Sequence, residues 1–193
     1  STDYCPMSLA TKLAKASAEK RFFSPEKVMK WFTDAMAAVE YLHSFKIVHG
    51  CLKCRKLFLT RNRCLQVGGF LPHLSYMDSA TQWPEPDPWV GFPPPEAVDG
   101  RKCPDWAIDI WSMGCILFTL CALESPFASG SVVEMCTSIL ALAVRPLPRE
   151  HADTFGPLVN AMISLDRPNA RSVLKMARAA SSGLPARNMR CLD

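Results

Sequence analysis

Apolar residues recur every three or four positions along residues 24–44, the best-patterned segment in the first half of the chain. The segment opens with Ser24-Pro25-Glu26, which offers a capping hydroxyl, a proline at the first helical position and an acid in the first turn. With 3.6 residues per turn, this spacing gathers the apolar side chains on one side of a helix. The predicted buried face consists of Val28, Phe32, Ala35, Met36, Val39, Leu42 and His43. The pattern therefore predicts a long helix, and a shorter helix is expected over residues 9–18.

Two short apolar runs, residues 57–59 and 65–67, flank a polar turn in the middle of the chain. Such a pair predicts two brief strands joined by that turn. Residues 71–96 then contain seven prolines. Proline can neither donate a ladder hydrogen bond nor continue a helix, so we expect a long irregular loop there.

The second half of the chain is predicted to be mainly helical. Candidate helices cover residues 106–121, 131–143, 154–164 and 169–180, and the polar tail 181–193 is expected to be flexible. The segment from residue 106 to residue 123 is apolar on all sides, but it carries Asp109 and is short for a membrane span of ~20 residues. A helix buried in a protein core is favoured. The predicted fold class is mainly α with a small β element, without membrane association.

Composition narrows the class further. The chain has 193 residues, of which 49% are hydrophobic and 21% charged, as is typical of a globular protein. The net charge of +4 is mild and does not suggest a nucleic-acid partner. A local basic cluster comprises Arg55, Lys56, Arg61 and Arg63. A solvated surface is the favoured interpretation of this cluster, and an anion site is the alternative.

Cysteine usage indicates a reducing compartment. The nine cysteines are scattered and odd in number, and the sequence does not open with a signal-peptide pattern. We therefore expect reduced thiols and a cytoplasmic location. Cys51 and Cys54 have the spacing of a metal or redox pair, but a structural zinc site usually needs four ligands, so no metal site is predicted. A reactive thiol and an inert replacement both remain open for this pair.

Six motifs, in order, resemble those of the large C-terminal lobe (C-lobe) of eukaryotic protein kinases. They are residues 47–53 (catalytic loop), 67–71 (metal-binding Asp-Phe-Gly), 94–96 (Ala-Pro-Glu), 109–115 (start of the central helix), 125–127 (Pro-Phe) and 166–168 (late Arg-Pro). The stretch RFFSPEKVMKWFTDAMAAVEYLHSFKIVHG, residues 21–50, is most similar to the NIMA-related Ser/Thr kinases. Any one motif is weak, whereas six at the right spacing are specific.

The resemblance implies how the chain is organised. Residues 1–180 would form the kinase-like C-lobe, and the small N-lobe would be absent from this chain. Within the C-lobe, the hinge is expected at 2–5, the catalytic-loop equivalent at 47–59, the activation segment at 69–96 and the central helix at 106–121. Residues 181–193 would be a flexible tail.

The resemblance also implies which chemical groups are replaced. Cys51 stands where the family has the Asp that accepts the substrate proton, and Lys56 and Gly69 stand where it has the two magnesium ligands. Gly50 replaces an Arg that often pairs with a phosphorylated loop, while Lys53 keeps the family's residue. We therefore predict no catalytic residues, no cofactor, unlikely magnesium binding and a protein that is not an enzyme.

Other matching positions are those that hold the kinase fold together. Phe58 matches the residue beneath the adenine ring, and it and Lys53 are the candidate nucleotide contacts, so ATP binding stays open. The resemblance implies structural roles for five residues: His49 and Phe70 in the hydrophobic stack, Asp109 beneath the catalytic loop, and Glu96 with Arg167 in a buried ion pair.

The sequence thus predicts a pseudokinase that acts as a binding or scaffolding module for an unidentified protein partner. A weakly active or unconventional Ser/Thr kinase, which binds ATP when a small lobe is present, is one alternative. A poorly folding short isoform is the other.

Overall fold

Helices make up most of the structure, a computed structural model that describes residues 7–69, 92–101, 105–127 and 130–184. The helices are α1 (Leu9–Ala18), α2 (Pro25–Ser44), α3 (Pro95–Asp99), α4 (Trp106–Ala122), α5 (Val132–Leu140), α6 (Arg149–Met162) and α7 (Ala170–Ser181). The strands are β1 (Met7–Ser8), β2 (Leu57–Leu59) and β3 (Leu65–Val67), and a 3-10 turn covers Cys54–Lys56. The prediction of a mainly α fold with a small β element is confirmed.

Local capping explains where the first two helices begin. The Ser8 hydroxyl accepts a hydrogen bond from the Thr11 amide at 3.2 Å, at the start of α1. The Ser24 hydroxyl accepts one from the Lys27 amide at 3.4 Å, and Pro25 occupies the first turn of α2. Both caps satisfy amides that have no partner within the helix. The predictions of helices over 9–18 and 24–44 are confirmed.

Helix α4 lies at the centre of the helical layer. Its side chains are buried on every side, and the helix packs against α2 and α6. Gly114 lets α4 pack closely against the end of α6. A Cβ at this position would lie 2.9 Å from Cγ1 of Ile163 and from Cβ of Met162. The predicted buried helix is confirmed, and it continues to Ala122.

The sheet has the order β1-β2-β3 and is antiparallel throughout. Phe58 in β2 pairs with Gln66 in β3 and with Ser8 in β1. Strands β2 and β3 match the prediction, whereas β1 was not predicted because two residues are too few to show a period. The sheet holds the 3-10 turn at Cys54–Lys56 beside α1.

Several predicted boundaries are corrected by the structure. Helix α6 starts at Arg149 rather than at residue 154, since Pro148 precedes it at the capping position, and Pro157 lies inside it. Helix α5 ends at Leu140 rather than at residue 143. The predicted loop 71–96 ends earlier than expected, because its last two residues begin α3. Residues 92–94 of that loop are described and have no regular secondary structure.

Some predictions fall on residues that the structure does not describe. The hinge at 2–5, Phe70, most of the activation segment 69–96 and residues 185–193 of the predicted tail lie outside the described ranges. The division into a domain at 1–180 and a tail therefore remains a prediction. Across the helices that are described, none is both long and apolar enough to cross a bilayer.

Candidate functional site

The buried carboxylate of Asp109 anchors the loop that begins at His49. One carboxylate oxygen accepts hydrogen bonds from the His49 amide at 2.8 Å and the His43 ring at 2.9 Å. The other accepts the Gly50 amide at 2.8 Å. Gly50 has a φ of +70°, a left-handed conformation that glycine adopts without a Cβ clash. Helix α4 thereby fixes the backbone of the catalytic-loop equivalent from below.

His49 connects this loop to the segment that follows β3. Its Nε2 lies 3.3 Å from the Gly68 carbonyl oxygen, and its Nδ1 lies 3.4 Å from the Cys51 amide. A ring that donates from Nε2 presents Nδ1 as an acceptor, so the two contacts imply one tautomer. The Cys51 sulfur is 3.5 Å from the same Nδ1. The thiol at the position of the family's carboxylate is thus held against a buried imidazole.

Lys56 occupies the space in which a side chain at position 69 would begin. Its Nζ donates to the Gly69 carbonyl at 3.1 Å. Gly69 has a φ of +76°, and a Cβ there would lie 2.7 Å from Lys56 Nζ and 2.5 Å from its Cδ. The two replaced positions are therefore neighbours, and the cation at one fills the volume left by the missing side chain at the other.

These two positions do not fit a magnesium ion. Magnesium prefers oxygen ligands at short distance. Gly69 has no side-chain oxygen, and its carbonyl oxygen already accepts from the Lys56 ammonium group, whose positive charge opposes a divalent cation. The same ammonium group is suited to a phosphate oxygen.

Phe58 borders the same region from the sheet side, and Lys53 directly precedes the 3-10 turn. Phe58 is half-buried in β2, and a Cβ at Gly68 would lie 3.1 Å from its ring, so the segment after β3 runs directly along that ring. Lys53 is half-buried, and its carbonyl oxygen accepts the Lys56 amide at 2.8 Å. The nucleotide contacts inferred from the sequence are therefore close in the chain to the Lys56–Gly69 contact.

Glu96 and Arg167 form a buried ion pair with two short hydrogen bonds, of 2.7 and 2.6 Å. The guanidinium also donates to the Ala107 carbonyl at 3.0 Å and to the Ser164 carbonyl at 2.7 Å. Its carbon lies 5.2 Å from the ring of Trp111. This one side chain joins α3, α4 and the segment after α6.

Sequence reasoning missed the role of His43. It was assigned to the apolar face of the long helix, but its ring hydrogen-bonds to Asp109. A histidine on an otherwise apolar helix face indicates that its ring has a buried hydrogen-bond partner. Its partner could not be deduced, because the two residues are far apart in the sequence.

Cysteine and metal chemistry can be checked for the described part of the chain. No cluster of three or more His, Cys, Asp or Glu side chains suited to a metal ion occurs there. Cys54 is buried, Cys51 is half-buried and Cys64 is exposed, with its sulfur 3.5 Å from the Lys30 ammonium nitrogen.

Comparison with known families agrees with this geometry. The protein kinase domain model matches residues 2–179, nearly the whole chain. The chain therefore belongs to the protein kinase family, and the resemblance inferred from its motifs is confirmed.

Curated relatives include NIMA-related kinases. The chain is 27% identical to the serine/threonine-protein kinase Nek6 of Oryza sativa subsp. japonica, with 90% of the chain and 32% of the relative covered. It is 26% identical to Nek11 of Mus musculus (90% and 28% covered) and 29% identical to Nek3 of Oryza sativa subsp. japonica (89% and 29% covered). The chain is close to this kinase group and spans about a third of the length of these relatives.

The prediction that the chain is not an enzyme is wrong. The family model that matches it describes a protein kinase domain, and the relatives are serine/threonine kinases. The prediction rested on a few replaced side chains, which alter local chemistry. Family membership rests on the match of the sequence to the protein kinase domain model over residues 2–179.

Proposed function

We propose that the chain is the large lobe of a serine/threonine protein kinase that binds nucleotide phosphates through lysine ammonium groups in place of a divalent metal. The observation that carries this proposal is the contact between Lys56 Nζ and the Gly69 carbonyl, at 3.1 Å. This contact supports the proposal because the Lys56 ammonium group lies beside Gly69, and both positions match magnesium ligands of the family. Lys53 supplies a second ammonium group on the same loop.

Phosphoryl transfer is compatible with this arrangement, at a reduced rate. The transition state is loose, so its stabilisation depends mainly on positioning and charge. The loss of a carboxylate at Cys51 removes the acceptor for the substrate proton, which typically contributes ~10²–10⁴-fold. We therefore propose slow transfer that requires a small lobe to complete the nucleotide cleft.

The first test is the thermal unfolding of the chain with ATP, with and without magnesium. A ligand at 100 times its Kd that binds only the folded state adds ~2.7 kcal/mol to the free energy of unfolding. We expect ATP alone to raise the melting temperature and magnesium to add nothing. Lys56→Gln should lose most of the shift, whereas Lys175→Gln, which removes an exposed charge on α7, should keep it.

Two results would overturn the lysine-based site. One is stabilisation that requires magnesium, which would mean that unidentified oxygen ligands hold a metal. The other is a shift that Lys56→Gln leaves unchanged.

Transfer itself would be assayed in a form that bears a small lobe, by following the γ-phosphate of ATP onto a Ser/Thr peptide. Lys53→Ala should abolish that transfer.

A second candidate function is protein binding. At the end of α2 the rings of Tyr41 and Phe45 pack edge to face at 5.0 Å, although they are 63% and 62% exposed. Ile47 beside them is 47% exposed. Neighbouring exposed apolar groups often mark interaction sites.

The binding role is tested with the double variant Tyr41→Ser/Phe45→Ser. A protein partner retained by the native chain should be lost by this variant while its melting temperature stays the same. Equal retention by both forms would contradict the role of this surface.

A further inference from the structure

A cavity of about 390 Å³ lies between α1 and the start of α2, and no residue of the segment 49–69 lines it. Its charged lining consists of Lys12, Lys15, Glu19, Arg21 and Lys27. Four of these side chains are cationic and one is anionic. The described surface thus contains a concave site lined mainly by cationic side chains.

The carboxylate of Glu19 neutralises little of this charge. It lies 3.9 Å from the Lys15 ammonium group, and both side chains are well exposed, so the pair is weak. Lys12 and Lys27 are half-buried. Among the described residues, neither has a carboxylate at ion-pair distance. Their charges therefore face the cavity without a partner of opposite sign.

Lys27 is held at the wall of the cavity by aromatic rings. Its Nζ lies 5.7 Å from the centre of the Phe23 ring and 5.3 Å from that of Trp31. Burial lowers the pKa of this ammonium group, and the positive charges of Lys12, Arg63 and Arg21 lower it further. A bound anion would relieve this mutual repulsion.

We propose that this cavity binds a phosphate monoester. A phosphate ester carries a charge of about −1.5 to −2 and three acceptor oxygens, whereas a carboxylate carries one charge. Lysine binds phosphate as a compact point charge. The volume falls in the range of small-ligand sites, roughly 300–1,000 Å³. Phe22, 47% exposed in the cavity lining, offers an apolar surface to the organic part of the ester.

This site is independent of the nucleotide cleft. The lining of the cavity shares no residue with the 49–69 loop, and Lys56 does not contribute to it. A free phosphorylated metabolite and the phosphorylated side chain of a peptide have the same recognition chemistry. The experiment compares the two sources directly.

The test is calorimetric titration of the chain with phenyl phosphate and, separately, with a ten-residue phosphotyrosine peptide. We expect saturable binding that weakens as salt is raised, because the attraction is electrostatic. Lys12→Gln/Lys27→Gln should weaken it at least about tenfold, because the two substitutions remove two charged hydrogen-bond donors. Tighter binding of the peptide would identify a protein source, and equal affinity a small molecule.

Lys175→Gln is the matched control, because it removes an exposed charge on α7 and should bind phenyl phosphate like the native chain. Lys56→Gln removes the cleft cation and therefore distinguishes binding in this cavity from binding in the cleft. The proposal fails if no saturable binding occurs or if the double variant binds normally. It also fails if Lys56→Gln abolishes binding, because the ester would then occupy the cleft. Melting curves of each variant confirm that the fold is intact.

Discussion

At the scale of single residues, Lys56 and Gly69 depend on each other in the fold. The lysine side chain passes through the position of a Cβ at residue 69 and ends on the carbonyl oxygen of that residue. By family resemblance, each position corresponds to a magnesium ligand. Together they form a packed contact in which the Lys56 side chain lies where a side chain at position 69 would begin.

The coupling between Lys56 and Gly69 can be measured with a double-mutant cycle. Gly69→Ala should cost ~1–2 kcal/mol from the left-handed backbone, plus a further cost for displacing Lys56. In a Lys56→Ala background the second cost should vanish, which gives a coupling energy of about 0.5 kcal/mol or more in denaturant unfolding.

Gly100 provides the matched control for this cycle. It has a similar φ of +73°, and a Cβ there would meet nothing within 4 Å. Gly100→Ala should therefore show the backbone cost alone, with no coupling to Lys56. A coupling energy of zero between positions 56 and 69 would contradict the packed contact.

At the scale of elements, one guanidinium joins three parts of the chain that are distant in the sequence. Arg167 follows α6 and binds Glu96 in α3 as well as the backbone of α4. Its side chain and that of Glu96 are 2% and 10% exposed. Removal of either partner would leave an uncompensated charge in a buried environment.

Arg167→Ala should therefore be strongly destabilising. Breaking a buried pair by removing one partner costs ~3–5 kcal/mol, because the remaining charge is uncompensated. The measurement is the free energy of unfolding in urea. The control is Arg171→Ala, which breaks an exposed pair with Glu40 at 3.2 Å and should cost ~1 kcal/mol or less. Equal costs for the two variants would refute the structural role of Arg167.

At the scale of the whole molecule, the stability of the chain should depend on pH through one buried ring. His151 in α6 is fully buried against Phe155, and neither ring nitrogen has a hydrogen-bond partner within the described structure. Burial lowers the pKa of His151, and the carboxylate of Glu150, 3.8 Å away, together with the nearby backbone of Phe23, opposes that shift only in part.

The sign of this pH effect follows from proton linkage. In the unfolded chain His151 titrates near its ordinary pKa of ~6.5, whereas the folded chain takes up the proton only at lower pH. As pH falls below ~6.5, the unfolded state binds more protons, so the free energy of unfolding decreases. Urea unfolding at pH 7.5 and pH 5.5 should show this loss, and His151→Leu should reduce it. An identical loss in the variant would assign the pH dependence to other groups.

The sequence by itself determined the helices and strands that carry strong local signals. Ser24 and Pro25 determined the start of α2. The Ser24 hydroxyl caps a backbone amide of the first turn, and the proline ring favours the first helical position, so both effects are local. The largely apolar segment from Trp106 predicted a buried helix. The six motifs along the chain indicated the kinase family. The resemblance to that family also implied which groups are replaced, at Cys51, Lys56 and Gly69.

Only the tertiary structure decided what these residues contact. His43 and Asp109 lie 66 residues apart along the chain, and no local pattern encodes their hydrogen bond. The same holds for the side chain of Lys56 against Gly69 and for the cations gathered from two helices around the basic cavity. Local propensity acts over a few neighbouring residues, whereas side-chain packing is a property of the folded chain.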